Sequence, residues 1–134
     1  MLSKKTQYAF KALVYLAQQQ NNHPVLISEI ATRKNIPLKF LENILLELKN
    51  NGILASKKGK GGGYYLNKSA HEIYLSNILR LVDGPIALLP CVSLNFYKKC
   101  ENCDEGNCKL RDVLIEVRDA TLAILENKTV ADIT

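Results

Sequence analysis

The stretch ISEIATRKNIPLKFLENILLELKNNGILASKKGKGGGYYLNK, residues 27–68, constrains this chain more than any other. ISEIATRKN reads as a short helix with Ser28 as its N-cap. A tight turn leads into PLKFLENILLELKNNG. There Pro37 suits the first helical turn, Leu38, Leu41, Leu45 and Leu48 form one apolar stripe, and Gly52 is the stop signal. Two short helices joined in this way form a helix-turn-helix candidate. Apolar ILA and aromatic YYL then flank a glycine-rich loop, which predicts a β-hairpin. The loop carries Lys57, Lys58 and Lys60 ahead of the triplet Gly61–Gly63. Glycine lets a backbone approach another surface with no Cβ in the way, and lysines on such a tip face either solvent or phosphate. A hairpin directly after a helix-turn-helix is the wing of a winged helix.

The flanking segments fit around that unit. KKTQYAFKALVYLAQQQ spaces Tyr8, Ala9, Ala12, Leu13, Leu16 and Ala17 as an amphipathic helix, followed by a polar loop in which Pro24 blocks continuation. IYLSNILRLVDG predicts a fourth short helix ending at Gly84. Further on, KLRDVLIEVRDATLAILEN repeats Leu110, Val113, Leu114, Val117, Ala120, Thr121, Ile124 and Leu125 at 3,4 spacing. A helix that apolar needs a partner, either the chain's own first helix or a second copy. A winged helix already closes its own core, which favours the second copy and a homodimer. The expected fold is therefore mostly α with a small β-hairpin wing. Its parts are a winged helix-turn-helix domain over residues 1–84, a cysteine-rich loop over 85–108, and a dimerisation helix and tail over 109–134.

Charge separates these parts. Residues 1–70 carry 11 Lys/Arg against three acids, a net +8, whereas residues 71–134 carry 7 against 10, a net −3. A basic half joined to a mildly acidic one suggests a polyanion-binding module attached to something else; a solvated basic face is the plainer alternative.

All four cysteines, Cys91, Cys100, Cys103 and Cys108, fall in PCVSLNFYKKCENCDEGNC. Disulfide-dense scaffolds are usually shorter chains without a core. MLSKKTQYAF shows no signal-peptide h-region, and no apolar run approaches the ~18 residues that span a bilayer. The expectation is a soluble, cytoplasmic protein without a membrane partner, where thiols stay reduced and clustered cysteines bind metal or react. By spacing alone the four thiols suit a structural zinc, an iron–sulfur cluster or a thiol switch. His23 and His71, beside a loop proline and after the wing, read as surface or core-edge residues rather than ligands. No base–nucleophile pair, catalytic His–Glu constellation or phosphate-cradling loop points to an enzyme. A winged-helix adaptor for proteins would not need a lysine-tipped wing.

Nearly the whole chain resembles the small winged-helix bacterial repressors of the iron–sulfur-cluster regulator type, the Rrf-two family. The resemblance rests on YAFKALVYLA, the run from Ile36 to Leu66 with its Phe40-Leu41-Glu42 triplet and GGGY wing, ILRLVDGPI, the cysteine loop and VADI. It implies that the helix beginning at Pro37 enters the major groove of a palindromic duplex operator. Lys39, Phe40 and Glu42 would then face base edges, and a glutamate there accepts from a cytosine amino group or is merely a surface carboxylate. Lys57, Lys58 and Lys60, with Gly61, Gly62 and Tyr64 of the wing, would lie along the phosphate backbone. The resemblance also implies an iron–sulfur cluster, 2Fe–2S or 4Fe–4S, with zinc the alternative. Cys91 and Cys108 match the outer ligands, and Cys103 or Cys100 the middle one. Some relatives add a histidine three residues after the last cysteine, where this chain has Arg111. Others borrow a carboxylate from the partner's first helix, where it has Gln7.

Overall fold

The computed structural model describes residues 2–101 and 104–134. Among the described residues there are five α-helices and one two-stranded antiparallel hairpin, which packs on the first three helices' side of the molecule. Helix α1 (Lys4–Ala17) begins at Ser3, whose hydroxyl accepts the Thr6 N–H at 3.1 Å, a side-chain N-cap. Helix α2 (Ile27–Lys34) stops at Asn35, which adopts the left-handed conformation at φ 53°. Helix α3 (Leu38–Asn50) follows after a turn through Ile36 and Pro37. At its end the Gly52 N–H reaches the Lys49 carbonyl and the Ile53 N–H reaches Leu48, both at 3.0 Å, with Gly52 at φ 78°. This pair of bonds is a Schellman close, and glycine is needed there because of the positive φ. The stop at Gly52 is therefore as the sequence indicates.

Two local expectations change. Ser28 does not cap α2; the cap is Leu26, whose side chain makes no capping bond. The helix start is set instead by Val25, which exchanges two 2.8 Å backbone hydrogen bonds with Tyr64. In α3 the buried stripe is Leu41, Ile44, Leu45 and Leu48, while Leu38 is exposed. Leu41 and Leu48 sit at the centre of that face with Ile44 and Leu45 on either side, and Leu38 lies beyond Leu45 on the helix's first residue; Pro37 is the cap rather than a first-turn residue.

Strands β1 (Leu54–Lys57) and β2 (Gly63–Leu66) pair with Leu54 opposite Leu66 and Lys57 opposite Gly63. The outer edge of β2 is not left open. Val25 pairs with Tyr64, and the Asn22 side chain both donates to the Leu66 carbonyl (2.8 Å) and accepts its N–H (3.1 Å). An unpaired strand edge is a template for aggregation, and the loop after α1 covers this one.

The core joins Ala9, Ala12, Leu13 and Leu16 of α1 to the α3 stripe, with Ile30, Ile73 and Ile78. Each fully buried leucine or isoleucine contributes about 1.5–3 kcal/mol relative to exposure. Helix α4 (Leu75–Val82) closes at Gly84, and α5 (Lys109–Leu125) leads to a 3-10 turn, Val130–Ile133. That turn comes back to α1: Val130 is fully buried in the same core, and its N–H donates to the Ile73 carbonyl at 2.9 Å. No helix among the described residues is long and apolar enough to cross a membrane.

The start of α1 is tied to the end of α4. Asp83 accepts from the Ser3 hydroxyl and from the Ser3 N–H at 3.4 Å. Partial burial pushes the Asp83 carboxyl up, but hydrogen bonds from Ser3 and Thr6 and the charge of Lys5 outweigh it and hold the group below its usual 3.8. A depressed folded-state value means the ionised group stabilises the fold above about pH 4, and that contribution disappears as pH falls through the folded value. Asp83→Asn is therefore expected to unfold more easily than wild type at neutral pH, with the gap closing below pH ~4; chemical denaturation at several pH values measures it.

Candidate nucleic-acid interface and cysteine loop

Burial of the α3 stripe turns Lys39 and Glu42 outward at the start of the helix, and both are exposed. Phe40 behaves differently. It is half-buried, edge-on to Tyr8 of α1, with ring centroids 5.6 Å apart at 83°. That geometry suits aromatic pairs, and it makes Phe40 a strut between α1 and α3 more than a free base-reading side chain. The Tyr8 ring also lies beneath two ammonium groups, Lys4 at 6.0 Å and Lys11 at 5.8 Å. These two lysines extend the positive surface beside α3 and were not singled out from sequence. Their only signal was their spacing, one turn before and one turn after Tyr8.

At the wing, Lys57, Lys58, Lys60 and Gly61 are exposed, with Gly59 at φ 87° and Gly61 at φ 74°. Gly62 is buried, and a Cβ there would stand 2.2 Å from the Lys57 carbonyl oxygen. Its role is to let the hairpin close on itself rather than to touch a ligand. A Cβ on Gly63 would meet the Val25 backbone at 2.3 Å, so the wing lies directly on the chain that starts α2. Tyr64 is half-buried within that contact. The lysine tip is thereby carried on a hairpin anchored along β2.

The cysteine loop connects α4 to α5. Cys91 is buried in a 3-10 turn, Pro90–Val92. The loop folds back so that the Lys98 N–H reaches the Pro90 carbonyl at 3.2 Å and the Phe96 N–H reaches the Ser93 hydroxyl at 3.0 Å. Cys91 and exposed Cys100 line one cavity of about 240 Å³ together with Lys98 and Lys99. The Tyr97 hydroxyl donates to Glu105 at 2.6 Å, clasping the loop across the segment that holds Cys100. That hydrogen bond, with some burial, holds the Tyr97 hydroxyl above its usual value. Cys108 caps α5, its sulfur accepting the Arg111 N–H at 3.4 Å. Arg118, further along α5, donates to the Val92 carbonyl at 2.8 Å and pairs with Asp119 at 2.9 Å, so α5 grips the turn that bears Cys91. Nothing in the sequence pattern marked Arg118.

Cys103 lies outside the described residues. Among the described residues no three His, Cys, Asp or Glu side chains stand together as a metal site. The donor chemistry nevertheless fits a thiolate-bound group. Sulfur donors suit zinc or an iron–sulfur cluster, and two of the three described thiols face one cavity while the third opens α5. His23 and His71 are exposed, and the His23 ring lies 3.1 Å from the Gln20 carbonyl, away from the loop.

A helix-turn-helix with an anchored, lysine-tipped wing defines a DNA-binding module. The family model described as Rrf2, iron-dependent transcriptional regulator, matches residues 2–134. A putative helix-turn-helix transcriptional regulator, rrf2-like, of Rhodobacter capsulatus is 41% identical over 136 residues, covering 98% of this chain and 91% of that protein. The regulator IscR of Pectobacterium carotovorum is 31% identical over 133 residues, covering 98% of this chain and 77% of the relative. Among solved structures, CymR, the global cysteine regulator of B. subtilis, superposes with a TM-score of 0.81 at 26% identity, covering 99% of this chain and 95% of CymR. The chain belongs to the Rrf2 family of winged-helix, DNA-binding transcriptional regulators, and it is not an enzyme.

The packing at Gly62 gives a direct check. Gly62→Ala forces the hairpin tip open, and it is expected to lower stability by roughly 1–3 kcal/mol. Amide shifts should move in residues 57–66 while α4 and α5 keep theirs; heteronuclear NMR with a denaturant curve reads both.

Proposed function

We propose that two copies of this chain bind a palindromic duplex operator in the cytoplasm, and that occupancy is governed by an iron–sulfur cluster on the cysteine loop. In this reading residues 1–84 are the DNA-binding unit, 85–108 the sensor loop and 109–134 the dimerisation helix and tail. The observation that carries it is the position of the thiols. Cys91 lies in the turn gripped by Arg118, and Cys108 is the cap of α5, so both ends of the loop rest on the long helix.

Dimerisation is supported by the outer face of α5. Leu110, Val113, Val117 and Ile124 are all exposed, Leu110 and Ile124 by 60% and 61%. At about 100° per residue they fall within an arc of roughly 60°. The side facing the rest of the chain is held by Leu122, which is buried. An apolar stripe of that kind on one helix face suits a second copy about a two-fold axis, which would set two α3 helices about one DNA turn (~34 Å) or a multiple apart.

Glu42 and Lys39 read base edges, and Lys57, Lys58 and Lys60 neutralise phosphates, joined by Lys4 and Lys11. If each protomer neutralises about three or four phosphates, the log–log salt slope of binding is about −5 to −7. Lys58→Ala should weaken binding to every sequence alike and flatten the slope by about one unit. Glu42→Ala should relax preference at one base position by about 1–3 kcal/mol with little change in slope. Fluorescence anisotropy on operator and random duplexes across a salt series separates the two; equal losses on both duplexes for Glu42→Ala remove it from readout.

Cys91, Cys108 and Cys103 or Cys100 would hold the cluster. When bound, a cluster supplies one-electron redox chemistry and sensitivity to oxidants. The chain's own part is to couple the loop's geometry to α5 and thereby to α3. A bound group shifts DNA affinity only by its differential stability in the two conformations, typically 1–3 kcal/mol or 5–150-fold. Cys91→Ala and Cys108→Ala should each abolish visible absorbance after anaerobic purification, with Cys100 or Cys103 changes milder singly than together. The Cys108 variant should bind operator as cluster-free wild type does. Iron, sulfide and zinc analysis decides the site: zinc in place of iron makes it a structural pin, and equal DNA binding by loaded, unloaded and Cys108→Ala protein removes the sensor role.

A further inference from the structure

Helix α1 gives α3 more than an apolar back. Two of its half-buried side chains reach across to α3 outside the leucine seam. Lys5 pairs with Glu47 at 2.6 Å. Tyr8 meets Phe40, in the first turn of α3, with ring centroids 5.6 Å apart at 83°. The Tyr8 ring also carries the ammonium groups of Lys4 at 6.0 Å and Lys11 at 5.8 Å. Lys4 stands four residues before Tyr8 and Lys11 three after it, so all three share one face of α1. Unlike Lys5, neither Lys4 nor Lys11 pairs with a carboxylate among the described residues. One ring thus touches both the start of α3 and two uncommitted positive charges.

The dimensions of duplex DNA decide what such charges face. The major groove is about 12 Å wide, and a helix with its side chains is about 10–12 Å across. A helix start seated there fills the groove, so a group packed beside its first turn meets the phosphate wall and not the bases. We infer that Tyr8 is a positioning residue of the DNA-binding surface. Its contact with Phe40 sets the seat of the α3 start, and its ring holds Lys4 and Lys11 ready for the phosphates that flank the groove. Ammonium groups already ordered on a ring lose less freedom when phosphate binds. An α3 start braced against that ring brings Lys39 and Glu42 to the bases at one angle. Tyr8 itself reads no base. The inference rests on the proposal that Lys39 and Glu42 read base edges, and it adds the residue that aligns them.

The test titrates full-length wild type, Tyr8→Phe, Tyr8→Leu, Phe40→Leu and the double Tyr8→Leu/Phe40→Leu variant with two duplexes across a salt series. One duplex is an operator selected from a random pool and the other has random sequence; thermal unfolding of each variant is recorded alongside. Tyr8→Phe keeps the ring and is expected to bind both duplexes within about twofold of wild type. Tyr8→Leu fills similar space without a ring, and should lose about tenfold on operator but only about threefold on random sequence. Phe40→Leu should lose about threefold on operator alone, and the double variant should be no worse than Tyr8→Leu, because the two rings make one contact. Wild-type binding by Tyr8→Leu overturns the inference. Equal losses on both duplexes, or losses by Tyr8→Leu and Phe40→Leu that simply add, overturn it too. Should Tyr8→Leu fail to fold, Lys4→Gln/Lys11→Gln decides: a salt slope flatter by at least about one unit supports the phosphate contact, and an unchanged slope removes it. Any of these failures leaves base reading by α3 intact. A Lys39→Ala/Glu42→Ala variant that discriminates operator as wild type does overturns that reading, and the role of Tyr8 with it.

Discussion

The apolar seam between α1 and α3 is the constraint from which the rest of the molecule follows. Leu41, Ile44, Leu45 and Leu48 are buried against Ala9, Ala12, Leu13 and Leu16, and this contact fixes the rotation of α3 about its axis. Once that face is inward, Lys39 and Glu42 can only face outward. The alanines of α1 bring the helices close, and the Phe40–Tyr8 edge contact braces the exposed end of the pair. A helix presented to DNA gains specificity from being held in one orientation, because each base contact depends on angles set by the core. The wing is held with similar firmness. Gly63 packs on the Val25 backbone and Asn22 covers the neighbouring edge, so the wing is tied to the segment that leads into α2.

The same core is reached from the far end of the chain. Val130 enters it after α5 has run the length of its exposed stripe, and backbone bonds join Leu75 to Lys128 and Val130 to Ile73. Helix α5 is therefore fastened to the DNA-binding unit at its C-terminal end and to the cysteine loop at its N-terminal end, through the Cys108 cap. Arg118, in the middle, holds the turn that contains Cys91. In the proposed reading, a change in loop geometry would act on a helix whose other end is packed into the core behind α3. This arrangement is what a coupling between loop and DNA surface requires: a contiguous packed path with identifiable joints. Surface ion pairs such as Arg80–Glu126 at 3.1 Å add little to that coupling by comparison.

What the sequence by itself determined were features carried by periodicity and by residues with special backbone chemistry. Three of the four α3 stripe residues (Leu41, Leu45 and Leu48), the stops at Gly52 and Gly84, the glycine hairpin and the apolar face of α5 are all repeated or locally marked, so few alternatives compete. The clustering of cysteines and the lysine-tipped wing were equally plain. What only the tertiary structure decided came from single contacts between distant residues. Val25 with Tyr64, Asn22 with Leu66, Arg118 with Val92 and Val130 with the core each pair residues far apart in the chain. One residue leaves no period, and a backbone or amide hydrogen bond leaves no hydrophobic pattern. Ser28 looked like a cap because serine often is one, but the start of α2 was fixed by a strand pairing on the far side of the hairpin. Phe40 was expected at the base edges, and its edge contact with Tyr8 of α1 left no mark in the sequence. Local propensity is worth tenths of a kcal/mol, a buried long-range contact one or more, and where the two disagree the contact wins.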